Sequence, residues 1–209
     1  MRFYHTPFFI QNILSGFTWR KATTAKIIYL TFDDGPIPGV TEFVLAELEK
    51  YLAKATFFCV GENLVRHQEI ANKIIAAGHK LGNHTHNHVK GWHTTAPNYV
   101  ANIKLCQEQL NKLNKTSTSK LFRPPHGRLT REQFKLVRPL YEVIMWDVLT
   151  YDFDASLLPD KCLKKAIKNT KAGSIVVFHD SLKARRNLEY TLPRYLAYFN
   201  NLGYRFESL

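Results

Sequence analysis

Two adjacent carboxylates, Asp33 and Asp34, close the apolar run at residues 26–32 and stand directly before the turn pair Gly35-Pro36. Ile27, Ile28 and Leu30 give that run the character of a buried strand, and Gly-Pro ends it. Carboxylates at such a strand end are costly to desolvate unless something cationic is held there. On its own the pair also reads as a solvated Asp-Gly turn. A second run, Gly82-Asn83-His84-Thr85-His86-Asn87-His88, supplies three imidazoles in five positions. Two imidazoles and one carboxylate with open positions suit a single catalytic divalent ion, Zn²⁺ first, with Co²⁺, Ni²⁺ or Mn²⁺ less selectively. His84 and His88, at i and i+4, meet if the segment is a helical turn, whereas His84 with His86 or His86 with His88 would need an extended strand. A histidine-rich surface loop is the reading without chemistry.

The elements that must position these groups follow from apolar periodicity. Strand-like runs fall at 26–32, 55–60, 80–84, 121–124, 142–146, 174–179 and 204–207, with helical periodicity at 41–52, 68–77, 97–113, 131–137, 159–171 and 193–202. Gly78, Gly173 and Gly203 each follow a helix where a left-handed cap belongs. This alternation predicts an α/β fold with a parallel sheet, either doubly wound or closed as an irregular (β/α) barrel. Asp33, Asp34, His84, Arg123, Asp147, Asp152 and His179 all lie at or just after the C-terminal end of a strand-like run. In both architectures those ends share one face, so residues far apart in sequence converge there.

Composition narrows the classes. The 209 residues, 45% of them apolar, suit one domain with a sizeable core. Cys59, Cys106 and Cys162 are an odd number without metal-ligand spacing, which argues against a disulfide framework or a cysteine zinc site. The formal charge of +12 favours acidic polymers or anionic surfaces. Much of it, including Lys161, Lys164, Lys165, Lys168 and Lys171, fits the solvated face and C-terminal half of one helix. No nucleic-acid module accompanies it, so nucleic acid is not an expected partner. Residues 1–25 form an aromatic N-terminal segment ahead of the main domain at 26–209. Phe3, Tyr4, Phe8, Phe9, Phe17 and Trp19 crowd its first 21 positions, with Arg2, Arg20 and Lys21 at the ends. Pro7 and Gly16 interrupt any long amphipathic helix, so the segment is expected to close the core, with peripheral contact to a membrane as the alternative. Neither a signal sequence nor a membrane span is recognised, which makes a cytoplasmic or membrane-peripheral location the expectation.

Four motifs, Thr31-Phe32-Asp33-Asp34-Gly35-Pro36, His84-Thr85-His86-Asn87-His88, Arg123-Pro124-Pro125-His126-Gly127 and Val177-Phe178-His179-Asp180, resemble the ordered motif series of NodB-homology polysaccharide deacetylases, carbohydrate esterase family four. The resemblance covers the chain from about Lys26 to the C-terminus and implies an irregular (β/α) barrel of about seven parallel strands. It implies that Asp34, His84 and His88 bind the metal, with His86 a spacer. Asp33 would be the general base, Arg123 its partner, and the backbone N–H of His126 a donor to the oxyanion. His179 would be the general acid, tuned by Asp152, with Asp147 after Trp146 a competing partner. Phe153 stands where the family has Trp, and His126 where it commonly has Tyr, departures that bear on the substrate groove. Trp92, Trp146, Tyr151 and Phe153 are the groove candidates, since bulky aromatics stack on sugars as well as fill cores. The implied function is metal-dependent removal of N-acetyl groups from amino sugars of a glycan or glycoconjugate. O-deacetylation of a polysaccharide, or deacylation of a lipid-linked sugar, keeps the same machinery. Every expected catalytic residue type is present, which weighs against an inactive carbohydrate-binding module.

Overall fold

The central strand explains its own position. In β1 (Ile27–Asp33) six of seven residues are buried, the pattern of a parallel strand covered on both faces. It pairs in parallel with β2 (Thr56–Cys59) and β7 (Ile175–His179), and Phe32 stacks on Phe57 and Phe178 with ring centroids 5.1 and 5.9 Å apart. Each such buried phenylalanine contributes about 1.5–3 kcal/mol through apolar burial. The computed structural model describes residues 3–113 and 119–209; Arg2 lies outside them.

Outward from β2 run β3 (Lys80–Asn83), β4 (Leu121–Phe122) and β5 (Glu142–Val143), and beyond β7 lies β6 (Val148–Leu149). The seven strands follow the order β5-β4-β3-β2-β1-β7-β6, all parallel, and curl into a half-barrel; β8 (Arg205–Glu207) pairs with the first half of β1. The expected family of folds is therefore present, but the seventh barrel strand is the two-residue β6 rather than the run at 204–207. The run at 142–146 contributes only two residues to the sheet, because Ile144 to Asp147 span the open side between β5 and β6.

The helices α2 (Val40–Glu49), α4 (Gln68–Ala76), α5 (Ala96–Leu113), α6 (Arg131–Val137) and α7 (Pro159–Asn169) lie close to their expected positions. Three features differ. The six-residue helices α1 (Phe8–Ile13) and α3 (Gly61–Arg66) are too short to show a helical period. The last helix, α8, runs Arg185–Asn201 with Pro193 inside it, so the proline marks its interior and not its start. Cys59, Cys106 and Cys162 are buried and free.

The N-terminal segment lies along the open side. Thr18 N–H donates to Val143 O and Met145 N–H to Thr18 O, while Leu149 N–H donates to Tyr4 O and Thr6 N–H to Asp147 O. Backbone groups that an incomplete barrel leaves without a neighbouring strand are thereby satisfied. Phe8, Phe9 and Ile13 on α1 nevertheless remain 68%, 63% and 76% exposed.

Candidate active site

Parallel register delivers the polar residues to one mouth. Asp33 and His179 are register partners at the ends of β1 and β7, and Asp180 N–H donates to Asp33 O. Asp34 follows at φ 85°, outside β1. Its neighbour Gly35 is irreplaceable on steric grounds, since a Cβ there would lie 1.9 Å from Asp180 Oδ2. Asp180 itself is buried, accepting from Gly35 N–H at 3.0 Å and from the Thr41 hydroxyl at 2.6 Å. Burial pushes its pKa up to about 8, against the pull of those two donors. Neither Asp180 nor Thr41 was singled out as a site residue, although Asp180 directly follows His179 in the last motif.

His84 and His88 do come together, but not on a helical turn. Thr85 and His88 adopt φ of 64° and 50°, and the loop is shaped from outside. Asn83 Oδ1 accepts Thr85 N–H, and Asn102 Oδ1 on α5 accepts the N–H groups of His86 and Asn87. These side chains replace the hydrogen bonds that a helix would have made. His86 turns away, its Nδ1 packed where a Cβ on Gly61 would fall 2.3 Å from it. Of the six non-glycine residues with positive φ among the described residues, Asp34, Thr85, His88, His126 and Tyr151 belong to this mouth. Such concentration of disfavoured backbone, at roughly 1–3 kcal/mol each, is characteristic of functional sites.

Asp34, His84 and His88 offer ligand atoms that all lie within 4.8 Å of one another. Their chemistry fits a divalent ion. His84 Nδ1 is 2.8 Å from Arg123 O, which fixes the tautomer with the proton on Nδ1 and leaves the lone pair of Nε2 toward Asp34, 3.7 Å away. Burial lowers the His84 pKa to about 4, keeping the ring neutral. Burial raises the Asp34 carboxyl, but its hydrogen bond with His88 and the charge of His179 outweigh that, holding it below the ordinary carboxylate range.

Arg123 is fully buried. Nη1 donates to Asp33 Oδ1 and Thr31 Oγ1, both at 2.7 Å, while Nε and Nη2 donate to Ile144 O and Met145 O. One guanidinium thus orients the carboxylate and satisfies carbonyls on the barrel's open side. His179 Nδ1 lies 2.8 Å from Asp152 Oδ1, and His179 N–H donates to Asp152 Oδ2. Burial opposes the imidazolium, yet the Asp152 charge and hydrogen bond raise the pKa to about 9. Asn187 on α8 fixes this loop by donating to Asp152 O, a contact the sequence did not flag. Asp147 is elsewhere, accepting from Ser174 and Gln11 and facing His5.

Trp146, Tyr151 and Phe153 line the same cleft as Asp33, Asp34, His84, His88, His126 and His179, a cavity of about 500 Å³. Phe153 meets the His179 ring edge-on at 4.7 Å. Gly127, at φ 64°, lets Trp146 pack where a Cβ would lie 2.4 Å from its ring. Trp92 does not line this cleft; it lines an adjoining recess that shares His126 and Arg128.

The polysaccharide deacetylase family model matches residues 20–140, more than half of the chain. The chain belongs to this family. A peptidoglycan-N-acetylglucosamine deacetylase from Bacillus cereus is 32% identical over 194 residues, covering 92% of this chain and 90% of the relative. A chitooligosaccharide deacetylase from Azorhizobium caulinodans is 29% identical over 154 residues, 73% of either chain. Among solved structures, a peptidoglycan N-acetylglucosamine deacetylase in complex with 4-naphthalen-1-yl-N-oxidanyl-benzamide superposes with TM-score 0.88 at 27% identity, covering 98% of this deacetylase-family chain and 95% of that one.

Proposed function

We propose that this chain hydrolyses N-acetyl groups of N-acetylglucosamine-type sugars in a peptidoglycan-like or chitin-like glycan. The observation that carries the reading is the convergence, in one cleft, of a carboxylate-histidine-histidine ligand set, an Arg123-held Asp33 and an Asp152-held His179. Relatives that act on both glycan types support the substrate class. A divalent ion held by Asp34, His84 and His88 would acidify water and polarise the amide carbonyl. Arg123 holds one oxygen of Asp33, and the other takes a proton from the attacking water as its oxygen bonds to the carbonyl carbon. The backbone N–H of His126 donates to the carbonyl oxygen as negative charge develops there. Because Nδ1 of His179 is held by Asp152, Nε2 gives the proton to the departing nitrogen as the C–N bond breaks. Acetate and a free amine result.

The test is release of acetate and amine from N-acetylglucosamine oligomers by protein loaded with Zn²⁺, Co²⁺, Ni²⁺ or Mn²⁺ in turn. Zinc is the expected ion, and no release with any of the four would sink the reading.

The exposed Phe8, Phe9 and Ile13 favour a second reading, in which the same machinery works at a membrane surface on a lipid-linked sugar. Among the described residues no helix is long and apolar enough to cross a membrane. Sedimentation with anionic vesicles, lost when residues 1–21 are removed, would place the protein at a membrane periphery. Indifference to vesicles would leave a freely diffusing protein.

A further inference from the structure

Beside the cleft lies a recess of about 310 Å³ lined by Lys90, Gly91, Trp92, His93, His126 and Arg128. It opens on the candidate active site, since His126 and Arg128 line both. Its floor is built rather than incidental. Gln133, fully buried at the start of α6, donates through Nε2 to Gly91 O at 2.8 Å and to Thr94 O at 2.9 Å. The same side chain accepts Thr130 N–H through Oε1, so one residue ties the turn at Gly91–His93 to the loop before α6. Trp92 Nε1 donates to Leu129 O, and the Arg128 guanidinium lies 4.6 Å from the centre of the Trp92 ring. Even under that cover Trp92 is 60% exposed, an unusual state for an indole whose edge is pinned in place.

The charge around this platform has one sign. Lys90 and Arg128 line the recess, Lys183 lines the cleft 5.4 Å from the Phe153 ring, and among the described residues the recess has no acidic residue in its lining. Among the described residues the carboxylates lining the cleft are Asp33, committed to Arg123, and Asp34, committed to the two histidines. Among the described residues Lys90, Arg128 and Lys183, like most of the lysines and arginines, enter no ion pair, so no neighbouring carboxylate cancels their charge. Unpaired cations on a rigid aromatic floor focus an attractive field on anions, and a guanidinium matches the planar fork of an oxyanion.

We propose that this recess binds an oxyanion, a carboxylate or a phosphate, carried by a sugar adjacent to the one deacetylated, whose ring packs against Trp92. The proposal rests on the N-deacetylase reading for the identity of the ligand as a glycan. The experiment is calorimetric binding of three oligomers of equal length to metal-loaded protein: neutral N-acetylglucosamine units, alternate units bearing a carboxylate ether, and alternate units bearing a phosphate. The anionic oligomers should bind about tenfold tighter than the neutral one, the worth of one charge-assisted hydrogen bond, with the advantage shrinking as salt rises. A gain for both charges supports shared oxyanion recognition, and a gain for one alone names the source. Arg128→Gln should remove most of the advantage and Lys90→Gln part of it. Lys90→Gln leaves the Arg128–Trp92 stack intact and keeps the test valid should Arg128→Gln fail to fold. Equal affinity for neutral and charged oligomers, or an advantage that survives both substitutions, would overturn the proposal. Amine release is measured on the same samples. Charge-selective binding without release would sink the hydrolase reading alone, and release without charge selectivity would sink the recess alone.

Discussion

Asp152 and Asp147 are buried carboxylates five positions apart, each facing a histidine, at opposite ends of the same short strand β6. Asp152 stands at the cleft, where its two oxygens hold the ring and the backbone N–H of His179. Asp147 stands on the barrel's open side, where it gathers Ser174, Gln11 and His5 and so ties the N-terminal segment to the sheet. The chemistry of the two pairs is alike, and their surroundings separate them. Only the His179 pair lies among Asp33, Asp34 and a cleft open to solvent, and there the Asp152 charge and hydrogen bond raise the imidazole pKa to about 9 against the pull of burial. In the proposed reaction the pair at the cleft is a proton donor because of what it faces, while the like pair on the open side is a clamp.

The largest expected effect tests whether the cleft side is chemical at all. Asp33→Asn should lower amine release by about 10²–10⁴-fold, the usual worth of a general base, while metal per chain measured by atomic absorption stays unchanged. His84→Ala should lose the metal instead. An Asp33→Asn protein with full activity would remove Asp33 as the base and with it the contrast.

Exchanging the roles of the two aspartates comes next. Asp152→Asn should cost about 10²-fold in turnover, because the imidazolium loses the charge that stabilises it. Asp147→Asn should leave turnover per folded molecule within about twofold. It should nevertheless lower stability by about 2 kcal/mol, or roughly 4–8 °C in Tm, through poorly matched buried donors. Activity falling equally in both variants would show that the open side reaches the chemistry.

The pH dependence sharpens the same contrast. In metal-free protein the His179 pKa of about 9 lies above the unfolded value near 6.5. Stabilisation of about 3 kcal/mol is therefore fully present below pH 6.5 and is lost as pH rises from 6.5 through 9, because over that interval the folded state holds a proton the unfolded state has released. NMR titration of the His179 ring should show this midpoint, and Asp152→Asn should bring it toward 6.5. Loading Zn²⁺ at Asp34 should also lower it by charge repulsion. A metal-free midpoint already at 6.5 would show that Asp152 does not tune the ring.

What could be read beforehand follows the length of each signal. Asp33, Asp34, His84, His88 and His179 were legible because apolar runs ending in polar residues mark one face of a parallel sheet, and because their motifs stand in order. The choice between Asp147 and Asp152 was not, since β6 is two residues long and gives no period from which to assign a face. Spacing left the His84–His88 run open between a helical turn and an extended strand, and it is neither, because its shape is set by Asn83 and by Asn102, a residue on another element. Trp92 was grouped with Trp146, Tyr151 and Phe153 by residue type. Its separate recess depends on Gln133 and Arg128, which pattern alone does not connect to it.

The smallest effect belongs to Tyr151, the residue that touches both regions. Its ring lines the cleft, and its hydroxyl accepts Phe3 N–H at 3.1 Å from the N-terminal segment, whose Tyr4 ring lies edge-on to it at 5.1 Å. Tyr151→Phe keeps the ring and its φ of 58° while removing only the acceptor. The loss should be about 0.5–1.5 kcal/mol of local docking, read as faster hydrogen exchange in residues 3–6, with KM for oligomers changed less than about twofold. If KM instead rises in step with that exchange, the N-terminal segment sets the shape of the cleft wall. In that event the division between a structural clamp at Asp147 and a chemical pair at Asp152 would have to give way to a single coupled unit running along β6.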